Sequence, residues 1–235
     1  MKILNIYINK VKLFLARFRE AYWYFFYFVL KKKKYYEYYS IRMDKLLKNN
    51  KTWGLNGKEF HLDYLKLHGL KKNMSFLDYG CGAINSGRFF IDYLNTGNYV
   101  GVDISKEAIN LGKHRLIDFN LSYKKPCLIH LITLDNISLL NKKFDIVWSQ
   151  SVLTHMPPAD LLLFLQKIKI FLNQNFKIYF TFGFDKNGPV QKNLKDWYYN
   201  NDFLEKIGKE NNYKVSFLKD WKHPASVTDK LVQFS

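Results

Sequence analysis

Beyond residue 50, short apolar runs alternate with amphipathic stretches. Residues 75–79, 99–102, 127–133, 144–149 and 177–182 are apolar and of strand length. Residues 87–94, 106–119 and 159–172 separate them with helical spacing. Strands that alternate with helices need crossover connections, which give a parallel sheet covered on both faces. Residues 202–211 read as another helix, and residues 213–219 and 229–234 as two closing strands. No internal repeat and no low-complexity linker interrupts the pattern.

The first fifty residues follow another pattern. Ile3, Leu4, Tyr7, Ile8, Val11, Phe14, Leu15 and Phe18 recur at helical spacing, with Asn5, Asn9, Lys12, Arg17 and Arg19 mostly on the other side. An aromatic run, Tyr22 to Phe28, leads into Lys31, Lys32, Lys33 and Lys34. The uncharged stretch between these charges is shorter than the roughly 20 apolar residues a bilayer span needs. No small-residue cleavage site follows it, so a removed signal peptide fits poorly. A basic amphipathic helix with an aromatic belt suits a membrane interface. The same helix would equally serve as a cap on the main domain, or meet a partner helix. The chain therefore divides into a basic, aromatic helical extension, 1–50, and a main domain, 51–235.

Composition sharpens this picture in two places. Lys and Arg number 37 against 20 Asp and Glu, a formal charge of +17, and twelve of the basic side chains lie in residues 1–50 with three acidic ones. Such a charge suits an anionic partner: nucleic acid, a membrane surface or an anionic substrate. AT-rich codon usage, which favours Lys, Asn, Ile, Phe and Tyr, would also raise it. Cys81 and Cys127 have no metal-type spacing and form no disulfide framework, which points to a reducing cytoplasm and to no metal site.

The chemical signal is strongest where the first strand ends. FLDYGCGAINSG closes an apolar strand and opens a helix. Gly80 and Gly82 can take positive φ and let a ligand approach the backbone, and Gly87 lets the helix pack close to the sheet. Ligands bind at such carboxyl ends of strands in open parallel sheets. The next strand, YVGVDIS, ends in Asp103, about 20 residues past Gly82, where a carboxylate can accept both ribose hydroxyls of a nucleoside. The competing role for Asp103 is a helix cap, which Ser105 supplies instead. Asp78 stands two residues before the glycines.

These motifs resemble those of class I S-adenosylmethionine-dependent methyltransferases, over roughly residues 52–235. FLDYGCG is similar to that family's first motif and GVDIS to its acidic second-strand end. ITLDNI, around Asp135, is similar to its adenine-contacting segment, and FDIVWSQSVLTHMPP to its fourth strand and following turn. The resemblance implies a doubly wound, Rossmann-like α/β fold with a seven-stranded, mostly parallel sheet whose last strand is antiparallel. It implies S-adenosylmethionine as cofactor, leaving S-adenosylhomocysteine. Asp78, Gly80, Cys81, Gly82, Asp103, Ile104, Asp135, Asn136 and Gln150 are then the expected cofactor-binding residues. Two departures narrow the reading. Asn85 stands where a dinucleotide oxidoreductase has its third glycine. The fourth strand ends in Ser149-Gln150-Ser151 rather than the [DN]PP[YF] of amino-methylating enzymes.

His155, just past the fourth strand, is the candidate base for a hydroxyl acceptor, because its ordinary pKa suits proton abstraction near neutrality; the alternative is a loop-shaping histidine. Trp53, in TWGLNGKEF, would close over the site or merely turn between helices. Phe184, after the fifth strand, and His223, between the last two strands, are further candidates to face the acceptor. WGLNGKEF, CGAINSGRFF and QSVLTHMPP are also similar to bacterial methyltransferases of surface-polysaccharide biosynthesis. That likeness implies O-methylation of a sugar or other small anionic precursor, and the basic, aromatic residues 1–34 would place such a cytoplasmic enzyme at the inner membrane face. An RNA, lipid or quinone methyltransferase and a noncatalytic S-adenosylmethionine-binding protein are the alternatives; no accessory RNA-binding signature supports nucleic acid.

Overall fold

The computed structural model describes residues 32–49, 59–133, 140–192, 196–222 and 229–235, together with residues 11, 14, 15, 18, 136 and 138. Trp53, Asp135, His223, the aromatic run 22–28 and most of the first twenty residues lie outside them.

The apolar runs form strands because each presents large side chains to both faces of one sheet. Phe76 and Leu77 of β1 (Phe76–Tyr79) are both fully buried, on opposite sides. Tyr99 and Val100 of β2 (Tyr99–Asp103), and Ile146 and Val147 of β4 (Phe144–Ser149), repeat that division. With β3 (Cys127–His130) and β5 (Leu172–Phe184) these strands pair in parallel in the order β3-β2-β1-β4-β5. β9 (Asp229–Phe234) runs antiparallel to β5 on one side and to β8 (Val215–Leu218) on the other. This is the expected seven-stranded arrangement with its reversed last strand.

Two additions were not expected. The strands β6 (Val190–Lys192) and β7 (Asp196–Tyr199) form a hairpin, bringing the sheet to nine strands among the described residues. β7 pairs with Gly183 and Phe184. One edge of β5 is taken by β9 through Gly183, and the other by β4 as far as Phe180. The hairpin therefore sits past the carboxyl end of β4. Gly183 permits this approach, since a Cβ there would press into the Tyr198 ring. β5 also starts five residues earlier than expected. A register shift between Phe144 and Ile146 brings Leu172 into pairing and carries the polar run 173–175 along.

Helices cover both faces. On one side α5 (Pro158–Ile168) and α6 (Asn201–Glu210) bury Leu161, Phe164, Leu165, Leu204 and Ile207 against Val147, Phe180 and Phe182. On the other, α2 (Phe60–Leu67), α3 (Gly87–Tyr93) and α4 (Lys106–Asp118) pack Leu65, Phe90 and Leu116 with Phe76, Trp148 and Tyr179. The first helix described in full, α1 (Lys32–Asn49), lies outside both layers, against α4. Residues 11, 14, 15 and 18 are helical and exposed. No helix of the described residues is long and apolar enough to cross a membrane.

Candidate functional site

The carboxyl ends of β1, β2 and β4 open into a cavity of about 460 Å³. Asp78, Gly80, Cys81, Gly82, Asp103, Ile104, Gln150 and His155 all line it. Eight residues singled out from separate stretches of sequence therefore share one wall. Asn136 and Phe184 do not. Asn136 is exposed, and Ile132 and Thr133 line the cavity in its place. Phe184 falls on the same side of β5 as Phe180 and Phe182, so it packs toward that core layer, with the Lys230 ammonium 3.2 Å from its ring centroid. The methyltransferase-like pattern fixed neither side chain's direction.

The glycine turn is a cradle with its backbone committed. Gly80 (φ +86°) and Gly82 (φ +55°) take the left-handed conformation expected of them. The amides of Gly80 and Cys81 donate to Val102 O at 2.8 and 3.0 Å. A Cβ at Gly80 would run into Val152, and one at Gly87 into the Tyr99 hydroxyl. Arg115, buried on α4, holds the turn from below: its Nη1 donates to Ala83 O at 3.0 Å and also reaches Asn85 Oδ1. The asparagine that replaces a third glycine is thus an anchor for Arg115.

Two carboxylates face into this cradle. Asp103 accepts from Gly82 N through Oδ2 and from Ser105 N through Oδ1, each at 2.8 Å. Ser105 caps α4, accepting from Ala108 N at 3.0 Å, so the capping role expected of it is filled and Asp103 is spared it. Each Asp103 oxygen keeps a second lone pair for a hydroxyl donor. Asp78 accepts from the Tyr99 hydroxyl at 2.7 Å. Burial pushes the Asp78 carboxyl up to about 7, and the neighbouring Asp103 charge adds to this against the Tyr99 bond. Burial also raises Asp103, opposed by its two amide donors. Native Asp78 therefore holds a proton that the unfolded chain releases. The resulting penalty is absent below about pH 4 and grows to its full size as the pH passes about 7.

α1 roofs the cavity with residues the sequence reading did not single out. Tyr36, Tyr39, Met43 and Leu47, at helical spacing, line it. Ser40 Oγ donates to Ile104 O at 2.6 Å; Ser105 Oγ and Glu107 N donate to Asp44 Oδ1 at 2.6 and 3.1 Å. Tyr36 OH donates to Asp160 Oδ2 at 2.6 Å, bridging α1 to the start of α5. His61 and Trp148 close the far side, with ring centroids 5.4 Å apart. His155 lies in the 3-10 turn Leu153–His155, with the Tyr39 ring centroid 6.2 Å away. Among the described lining residues there is no Lys or Arg, whereas Asp78, Asp103 and Asp160 are all present.

An S-adenosylmethionine molecule carries a ribose diol and a net positive charge, and these residues fit both. The buried carboxylates match the charge, and the glycine turn leaves open space beside Gly82 for a ligand to approach the backbone.

Residues 70–225 match the family described as a methyltransferase domain. An uncharacterized protein of Methanocaldococcus jannaschii is 30% identical over 146 residues, 60% of this chain and 37% of its own length. A probable methyltransferase of Aspergillus luteorubrus is 29% identical over 95 residues, 39% of this chain and 33% of that protein. The chain spans about a third of the length of these curated relatives. Among solved structures, the magnesium protoporphyrin IX methyltransferase of Synechocystis with bound S-adenosylmethionine has the same fold. It matches with a TM-score of 0.58 and 14% identity, over 75% of this chain and 76% of that one.

Proposed function

The chain belongs to the methyltransferase-domain family, and we propose that it transfers a methyl group from S-adenosylmethionine to a hydroxyl of a small acceptor. The carrying observation is that one cavity holds both the nucleoside-type carboxylate Asp103, at the glycine turn, and His155, at the end of β4. When bound, S-adenosylmethionine supplies a methyl already activated by its sulfonium. Asp103 accepts the ribose hydroxyls, Gly80 and Gly82 give the backbone room, and Asp78 faces the positive charge. Ile104 and Gln150 complete the wall. His155 removes the acceptor's proton, and α1 keeps water out, so residues 32–49 work with the domain that follows.

Asp78 makes this binding pH-dependent. A cation entering the cavity favours the ionised carboxylate. Cofactor affinity is expected to rise several-fold between about pH 6 and about pH 7.5, with Asp78→Asn flattening the rise. Calorimetric titration at several pH values reads this directly; equal slopes for the two proteins would remove Asp78 from the site.

The acceptor is a sugar precursor of a surface polysaccharide. Its reacting ring is uncharged, in keeping with a lining of aromatic and acidic side chains. Any phosphate it carries stays outside. Incubation with methyl-labelled S-adenosylmethionine and a host extract, followed by acid hydrolysis, is expected to yield labelled O-methyl sugars. Label confined to RNA or lipid would overturn this acceptor.

Residues 1–34 hold the enzyme to an anionic membrane surface. The exposed stripe Val11, Phe14, Leu15 and Phe18, flanked by Lys10, Lys12, Arg17 and Arg19, supports this reading. The chain is expected to sediment with vesicles containing an anionic lipid. The double substitution Phe14→Asp and Leu15→Asp should weaken this at least about tenfold. Equal sedimentation of both proteins, or none, would contradict it.

A further inference from the structure

The β6–β7 hairpin brings a carboxylate to His155. Asp196 Oδ1 lies 2.9 Å from His155 Nδ1. The alignment falls short of a hydrogen bond, yet both atoms are shut off from solvent with no other hydrogen-bond partner among the described residues. Leaving two such atoms unsatisfied is costly, and each is the other's nearest remedy. The cross-strand neighbour of Asp196 is Lys192, which does not compete for it. Lys192 Nζ sits 2.5 Å from Asp185 Oδ2 and over the Tyr198 ring. A second tie fixes hairpin to turn: Tyr199 OH donates to Met156 O at 2.5 Å, both residues buried. His155 is thus held on one side while it lines the cavity on the other.

We propose that Asp196 is the positioning residue for His155. Accepting a hydrogen bond from Nδ1–H, it selects the tautomer whose Nε2 lone pair is free for the cavity. The acceptor's O–H bond then breaks as an Nε2–H bond forms, and the positive charge comes to rest on an imidazolium beside the Asp196 carboxylate. This role rests on the assignment of His155 as the base, but its first test does not. In protein labelled with ¹⁵N-histidine, long-range ¹H–¹⁵N spectra report the tautomer of each neutral ring, and His155→Gln identifies the His155 signals. The neutral His155 ring is expected to be the Nδ1–H tautomer, shifting toward Nε2–H in Asp196→Asn. An Nε2–H tautomer in the unsubstituted protein overturns the proposal without any variant. So does a spectrum that Asp196→Asn leaves unchanged.

Methyl transfer from labelled S-adenosylmethionine into the acceptor fraction is the second readout. Asp196→Asn is expected to lower turnover by about 10²-fold or more, with cofactor affinity unchanged and Asp196→Glu recovering part of the rate. Should His155→Gln retain full transfer, the base assignment fails while the tautomer still decides the contact. Should Asp196→Asn keep full transfer while His155→Gln loses it, the base stands and the positioning role falls.

Discussion

Asp103→Ala is expected to weaken S-adenosylmethionine binding at least about tenfold. Hydrogen bonds to a charged acceptor contribute about 1.5–3 kcal/mol each, and a ribose diol makes two. The same substitution strips Gly82 N and Ser105 N of their acceptor, loosening the glycine turn that Asp103 ties to the start of α4. The turn keeps its other holds, the Val102 carbonyl above and Arg115 below, so the fold should survive the change. Equilibrium dialysis with labelled cofactor measures the loss, and circular dichroism confirms folding. Unchanged affinity in a folded variant would mean that Asp103 does not hold the ribose.

His155→Ala is expected to lower turnover by about 10²–10⁴, the span of general-base catalysis, while leaving cofactor binding intact. The separation follows from position. His155 stands in the turn after β4 beside Tyr39 and Asp196, whereas the cofactor-type carboxylates stand at β1 and β2. A loss below about threefold would remove His155 from the chemistry.

The parts of the site legible in the sequence are those encoded locally. A glycine at positive φ, a carboxylate at a strand end and a serine at a helix start each leave a signature within a few residues. Asp78, Gly80, Gly82, Asp103 and Ser105 were readable for that reason, and strand pairing then carried β1 and β2 side by side, with Asp78 opposite Gly101. Residues whose role depends on distant partners left no such mark. Asp196 meets His155 only through a hairpin of two short strands with no run of alternating apolar residues to announce it. Asp160 meets Tyr36 across 124 positions. The α1 residues Tyr36, Tyr39, Met43 and Leu47 were not singled out, because the cavity they roof is built by segments far along the chain. Phe184 shows the converse. It was expected after the fifth strand; it is instead the last residue of β5, and the pleat sets its direction toward the α5 and α6 layer. Asn136 is exposed, and Ile132 and Thr133 line the cavity instead.

The most direct measurement is transfer of the methyl label itself, made in parallel with the unsubstituted protein and Asp103→Ala. Methyl-labelled S-adenosylmethionine is incubated with each protein and a host extract, and the nucleotide-sugar, polysaccharide, lipid, RNA and protein fractions are counted. A methyltransferase working through this cavity moves label into an acceptor fraction with the first protein and not with the second. Saturable cofactor binding with no label in any fraction, or label moved equally by both proteins, would contradict it.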